Sequence, residues 1–244
     1  MTRRGLLRRA AGVTIAAAAG PALLSVPTYA VPGPTGNGKT EEASGDGRSG
    51  VATGTAGPNG WELEKAADAG GAVWTRPVPG TGLAGVAVRM GDVETVLVHV
   101  IRRFHYEIDQ MKPGEVIGWR KPGEVRKGLA EVNQASGTAV QIRPGHYPHG
   151  ARGGFHAVQT AVVRDVLAEL EGVVRWGGDD STPDESLFYL DAPPGDDRLT
   201  RVAARLRGWQ EDPARGAGTH VDVQDPRRRQ AAQELHTRQT KRSR

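Results

Sequence analysis

Three groups of residues in this chain are of types and spacings that could do chemistry. The stretch Asn133-Gln134-Ala135-Ser136-Gly137-Thr138-Ala139-Val140-Gln141-Ile142 sets two polar side chains, Gln134 and Gln141, seven residues apart around Ser-Gly-Thr-Ala. His146, His149 and His156 follow in or beside a loop rich in Gly and Pro, and Asp179, Asp180, Asp184 and Glu185 lie on a later turn. Imidazole and carboxylate are the ligands of a hydrolytic metal, and a positioned carboxylate can act as general base. A glutamine amide offers a neutral oxygen, a poor ligand for zinc. The histidines and aspartates could form a metal site only if the loop and the turn meet, whereas Asp184 and Glu185 could work as acid and base without a metal. His149 and His156 repeat the seven-residue spacing, but they straddle glycines rather than a rigid strand, and His146-Tyr147-Pro148-His149 reads as an ordinary polar turn. His99 and His105 flank the apolar face of a predicted helix, where a structural role is expected.

The elements that must position these residues can be read from periodicity. Trp74 to Gly80 is extended, and Val86-Ala87-Val88 is a short strand. Asp92 caps an amphipathic helix in which Val93, Val96, Leu97, Val100, Phe104, Ile108 and Met111 recur at three- and four-residue steps, ended by Pro113-Gly114. Val116 to Trp119 is a strand, and the frame around Gln141 enters the central strand over Thr138 to Ile142. Arg143 to Gly154 is a loop, Phe155 to Leu170 a helix stopped by Gly172, and Val173 to Trp176 a strand whose hairpin partner is Leu187 to Leu190. A last helix carries Leu199, Val202, Ala203 and Leu206 inward. Trp176 and Phe188 are expected in the core rather than at a site. In an unbroken strand Gln134 and Gln141 would point to opposite faces, so they can share a pocket only where the chain bends between them.

Composition bounds the function. The chain has 244 residues, 37% hydrophobic and 25% charged, which suits one domain with tails, and it has no cysteine, which rules out disulfides and thiolate metal sites. The net charge of +4 comes from the ends: Arg3, Arg4, Arg8 and Arg9 precede any acid, and Pro226 to Arg244 holds seven basic residues against Glu234 alone. The part between is mildly acidic, which argues against nucleic acid as partner. Thr2-Arg3-Arg4-Gly5-Leu6-Leu7-Arg8, an interrupted apolar run and Thr28-Tyr29-Ala30 predict a twin-arginine signal peptide over 1–30. Residues 31–60, rich in Gly, Thr, Ser and Pro, are expected to be a disordered linker, and 211–244 a basic, mostly disordered tail with helix over Gln230 to His236. Such a tail on an exported protein would be drawn to anionic wall polymers or lipid headgroups.

The frame around Gln141 resembles the signature of the zinc D-alanyl-D-alanine carboxypeptidases, bacterial cell-wall peptidases that share a fold with hedgehog signalling domains. In that family it reads Ser-x-His-x-x-Gly-x-Ala-x-Asp. The resemblance extends over about 115–192, through Gly172-Val173-Val174-Arg175-Trp176-Gly177-Gly178-Asp179 and Asp184-Glu185-Ser186-Leu187-Phe188. It implies an α+β domain of the hedgehog/DD-peptidase type, a small antiparallel sheet flanked by helices, over 61–210. It also implies zinc held by residues at Gln134, Gln141 and Leu187, a general base at Asp184, and a substrate-binding arginine at Arg120 within Gly118-Trp119-Arg120. A three-ligand zinc would lower the pKa of its water and polarise the scissile carbonyl. Of these positions only Asp184 and Arg120 keep a suitable residue, and the family's serine before the first ligand is Val132.

The expectation is therefore an exported relative without zinc or peptidase activity, whose cleft, lined by Gln134, Gln141, Asp184 and Arg120, binds a peptidoglycan stem peptide or a wall protein. Asp184 would be vestigial as a base. The competing readings are an active metallopeptidase with ligands moved to His146, His149 or His156, and a structural domain in which the tails make the interactions.

Overall fold

The computed structural model describes residues 50–242 apart from Pro213, so the predicted signal peptide and residues 31–49 lie outside the described residues. The architecture is mixed α+β. Two small hairpins come first: β1 (Ala52–Ala56) pairs antiparallel with β2 (Glu62–Glu64), and β3 (Val73–Arg76) with β4 (Val86–Arg89). After α1 (Asp92–Glu107) come β5 (Val116–Ile117), β6 (Ala139–Ile142), α2 (Ala157–Glu169), β7 (Val174–Trp176), β8 (Leu187–Leu190), α3 (Asp197–Gln210) and α4 (Pro226–Arg242). Strands β5 to β8 form one antiparallel sheet in the spatial order β5-β6-β8-β7.

The two faces of this sheet differ because side chains alternate along a strand. Val140 and Ile142 of β6, with Phe188 and Leu190 of β8, join the main core with Val96, Leu97 and Phe104 of α1 and Val163 and Leu167 of α2. Burying an aliphatic or aromatic side chain contributes about 1.5–3 kcal/mol, so this face anchors the domain. Ala139, Leu187 and Tyr189 form a small separate cluster on the opposite face, backed by Ala130. Trp176 and Phe188 are buried in the main core, as their size predicts.

The polar frame does not run straight into its strand. Ala130–Ser136 forms a 3-10 helix that ends at Gly137, whose φ of 70° is left-handed. A Cβ at Gly137 would sit 2.7 Å from the Arg89 amide nitrogen and 2.7 Å from Val73 Cγ2, so the bend needs glycine twice over. Beyond it, the central strand is β6.

Three further expectations are corrected. Ala52–Ala56 is a strand, so ordered structure precedes Trp61: Asn59 Nδ2 donates to Thr138 Oγ1 and the Leu190 carbonyl, and Trp61 Nε1 to the Ala192 carbonyl, tying this segment to the sheet. Asp92 is not the cap of α1. Gly91 holds that position, and the Asp92 carboxylate accepts from Thr200 Oγ1 and Arg207 Nη2 of α3. The tail is not disordered over its length, because α4 packs along α2 with Ala232, Leu235 and Gln239 buried. Asp225 accepts from the Arg227 and Arg228 amides and Pro226 opens the helix, a start signal that charge alone obscures. Gly172, at a φ of 75°, leaves room for Leu235, whose Cδ1 a Cβ would meet at 2.7 Å.

A buried ionic network joins three helices. Arg103 of α1, 1% exposed, donates to Glu107, Asp165 and Glu169, and Arg228 of α4 donates to Asp165 and Glu169. His99 Nε2 lies 2.7 Å from Glu169 Oε1. Burial pushes the Glu169 carboxyl up, but hydrogen bonds from His99 and the charge on Arg103 outweigh it and hold the group at about 2. Burial, with Arg103 and Arg102 adding to it, pushes His99 below the ordinary imidazole value despite its carboxylate partner. His105 Nδ1 accepts from the Met111 amide, so both helix histidines are structural. No helix among the described residues is long and apolar enough to cross a membrane.

Candidate functional site

The predicted site residues are placed by β6, β8, the 3-10 helix and the turn before β8. Gln141 and Leu187 are cross-strand partners in the β6–β8 register, so their side chains leave the same face of the sheet. Gln141 Nε2 donates to Asp184 Oδ2 at 2.9 Å. The other carboxylate oxygen, Asp184 Oδ1, accepts from the Ser186 amide and the Ser186 hydroxyl. Asp184 is 3% exposed, so these donors are what make its burial tolerable.

Gln134 stands apart from this group. It is fully buried in the 3-10 helix, and its amide nitrogen donates to the Ile117 and Gly118 carbonyls at 3.1 and 2.9 Å, bonding the frame to β5. Its Oε1 is buried without a partner among the described residues. Arg120 lies beside the frame but is engaged: its Nη1 donates to Glu131 Oε1 at 2.8 Å, and Arg126 takes the other oxygen at 2.8 Å. Val132, where the resemblance implies serine, packs with Leu63, Val125 and Ala135.

A cleft of about 290 Å³ opens between the 3-10 helix and the sheet, lined by Glu131, Asn133, His149, Asp180, Asp184, Leu187 and Tyr189 among others. Asp184 and Leu187 therefore share it, with Gln141 bonded to Asp184 from the side; Gln134 and Arg120 do not line it. Glu131, Asn133 and Tyr189 were not singled out from sequence, whereas Asp180 was, as a possible metal ligand on the turn. Signals for them exist, since Glu131 and Asn133 flank Gln134 in the same frame and Tyr189 follows Leu187 by one strand period.

The three loop histidines do not converge. His146 Nε2 is 2.9 Å from Arg143 Nη2, and His156 is the exposed N-cap of α2, its amide donating to Gln159 Oε1. His149 alone reaches the cleft, with Nδ1 3.6 Å from Asp184 Oδ2. Glu185 holds this loop down. Its carboxylate accepts from the Gly153 and Gly154 amides at 2.7 Å each, and its carbonyl accepts from Trp176 Nε1. Glu185 is thus committed to the backbone, not to acid–base chemistry. Arg152 adds two bonds, to the Gly178 and Asp180 carbonyls.

Two further groups set the electrostatics. Tyr189 donates its hydroxyl to Asp180 Oδ1 at 2.8 Å, and burial together with that carboxylate pushes the phenol well above its ordinary value. Burial, with Asp179 and Asp184 nearby, raises the Asp180 carboxyl in spite of the Tyr189 bond and the charge on Arg175. Asp179 faces away from this exchange, paired with Arg164, which lies over the Trp176 ring.

The zinc that the resemblance implies does not fit these residues. Leu187 has no donor atom, Gln134 spends its amide nitrogen on the Ile117 and Gly118 carbonyls, and Gln141 is bonded to Asp184. Among the described residues no group of three or more His, Cys, Asp or Glu side chains is placed to hold a metal ion. A larger cavity, about 520 Å³, is bounded by Arg102 and Tyr106 of α1 and Leu206 and Trp209 of α3, and none of the predicted residues lines it.

No protein-family model, curated protein or solved structure matches the chain.

Proposed function

We propose that this chain is an exported, non-catalytic relative of the D-alanyl-D-alanine carboxypeptidases, with the hedgehog/DD-peptidase fold, whose cleft binds a cell-wall peptide. One observation carries the reading. The two positions that the sequence frame and the final hairpin would assign to metal ligands, Gln141 and Leu187, are cross-strand partners of β6 and β8; Leu187 lines the cleft with Asp184, and Gln141 bonds Asp184 from the side. That neighbourhood supports the reading, and the Gln141 amide, donating to Asp184, takes up the carboxylate that the resemblance would assign as base. Asn133, Asp180, Ser181, Thr182 and Tyr189, which also line the cleft, are polar residues suited to hydrogen-bonding a peptide.

The test is titration calorimetry with a synthetic stem pentapeptide ending in D-Ala-D-Ala, followed by mass spectrometry of the mixture. Saturable binding with the peptide recovered intact is the expected result. Cleavage that a chelator abolishes would overturn the reading.

A second reading has one observation in its favour. His149 and Asp184 sit side by side at the cleft, and an imidazole next to a carboxylate is half of a relocated metal site. Elemental analysis of the purified protein decides it: metal near one per chain that His149→Ala removes would favour a metallopeptidase with moved ligands.

A further inference from the structure

We propose that the cavity between α1 and α3 is a binding site for a small organic carboxylate, an anion of single charge on a flat apolar body. The site is separate from the cleft, and the inference stands or falls independently of the peptide-binding reading.

The first observation is a cation without a counter-charge. Arg102 lines the cavity and is half-buried, yet no carboxylate pairs with it among the described residues. Its one hydrogen bond runs from Nη2 to the Ala217 carbonyl at 3.0 Å. Nε is enclosed and out of reach, whereas Nη1 is neither enclosed nor bonded and is the donor left for a ligand. The arginines around it are treated differently: Arg103 meets Glu107, Asp165 and Glu169, and Arg205 of α3 pairs with Glu171. A partly buried charge costs free energy unless it is paired, so an anion arriving from outside is favoured at Arg102.

The second observation is the balance of the other charges. Asp212 is the one acid among the described lining residues; its Oδ2 lies 3.3 Å from Arg215 Nε and its Oδ1 accepts from the Ala214 amide, so this pair cancels. His99 also lines the cavity, but burial holds it below the ordinary imidazole value and its Nε2 is turned to Glu169. One net positive charge is left on the wall at neutral pH. That suits a monoanion, and a cation would meet Arg102 unopposed.

The third observation is the shape of the wall. Pro79, Tyr106, Leu206 and Trp209 give apolar and aromatic surface to a cavity of about 520 Å³, a size common for small-molecule sites. The loop after α3 closes the other side at short range: Gly218, at a φ of 98°, would bring a Cβ to 3.2 Å from Tyr106 Cε2. The same loop supplies the Ala217 carbonyl that holds Arg102, and it is braced by Thr219, whose hydroxyl donates to the Gly216 carbonyl at 2.7 Å. Tyr106 is fixed in turn by donating its hydroxyl to the Gly80 carbonyl at 2.7 Å. A flat ring can lie against Trp209 or Tyr106 while its carboxylate reaches the guanidinium, whose planar donors match that group. An inorganic anion would leave the aromatic wall unused, and a neutral ring would leave Arg102 unpaired.

Saturation-transfer NMR titration of the full 244-residue chain at neutral pH, with phenylacetate and phenylacetamide as probes, tests this. The two share a ring and a methylene and differ in charge. Phenylacetate is expected to bind at least about tenfold more tightly, as loss of a charge-assisted hydrogen bond requires. Arg102→Gln should lower phenylacetate to the affinity of its amide and leave the amide unchanged, and Arg102→Lys, which keeps a charge, should restore part of the preference. Equal binding of the two probes by the wild type, or binding of neither, overturns the inference. So does a preference for the acid that survives in Arg102→Gln, because the anion then sits elsewhere. The comparison of acid with amide needs no variant, and thermal unfolding checks that Arg102→Gln is folded. None of these outcomes touches the stem-peptide titration, which judges the cleft by itself.

Discussion

Gln141 and Asp184 are locked together by a 2.9 Å hydrogen bond between groups 43 residues apart, one on β6 and the other on the turn that feeds β8. Through Ser186 the same carboxylate also fixes the first residues of β8. Asp184 therefore closes the turn onto the sheet.

Asp184→Ala should accordingly be a stability variant. It leaves the Gln141 amide and the Ser186 N–H and hydroxyl without an acceptor in a buried setting, and each abandoned buried group costs about 1–3 kcal/mol unless water reaches it. A total loss of about 2–4 kcal/mol in urea unfolding is expected. A second removal in the Asp184→Ala/Gln141→Leu pair should recover part of it, since the double variant no longer strands the amide. Additive losses in that double-mutant cycle would show that the two side chains are not coupled.

The proposed ancestry predicts that a metal centre can be put back. In the triple variant Gln134→His, Gln141→Asp, Leu187→His, two of the new ligands occupy cross-strand partners, whose Cβ atoms lie about 4.5–5.5 Å apart. The third sits on the 3-10 helix whose Gln134 already reaches the Ile117 carbonyl, and Ile117 pairs with Gln141. Elemental mass spectrometry should find zinc near one per chain in the variant. A triple variant that folds and takes up no zinc would count against the family frame.

The course of the central strand, the β7–β8 hairpin and α1 to α3 could be read from periodicity because each buries one continuous apolar stripe. The cleft was legible only in part. Asp184 and Leu187, two positions that the resemblance named, line it, but the fate of Gln134 depends on the left-handed turn at Gly137, a tertiary fit against Arg89 and Val73 that spacing does not reveal. Arg120 reads as a free cation until its partner Glu131, eleven residues on, is brought round by the 3-10 helix. The tail's helix was read only over Gln230 to His236, and its packing was missed, for a different reason: its inward stripe is only Ala232, Leu235 and Gln239, and the charges that surround it include the anchor itself, Arg228.

The ionic network predicts a particular acid response. Glu169 is held at about 2 against 4.5 in the unfolded chain, so its contribution is complete above pH 4.5 and is lost as pH falls through about 2. By linkage this amounts to about 3 kcal/mol. His99 acts in the same direction at higher pH. Its folded value lies below the unfolded 6.5, so the unfolded state gains a proton first and stability declines as pH drops below 6.5. Urea midpoints measured from pH 8 to pH 2.5 should fall in two stages, and Glu169→Gln should remove the lower one. A Glu169→Gln profile parallel to the wild type below pH 4.5 would contradict the network.

Helix α4 is expected to behave as part of the fold. Arg228 binds Asp165 and Glu169, Leu235 fills the space over Gly172, and Gln239 Nε2 donates to the Val174 carbonyl of edge strand β7. Because Arg103 stays behind to serve both acids, Arg228→Ala should cost only about 1–2 kcal/mol, less than the 3–5 typical of stripping a buried charge of its sole partner. Leu235→Ala should cost about 2–3 kcal/mol, a large-to-small change in a well-packed site. Truncation after Asp225 removes both and also bares the β7 edge, an invitation to strand pairing between molecules. The truncated chain should therefore unfold at lower urea and associate on concentration in light scattering, whereas a disordered tail could be removed without either effect.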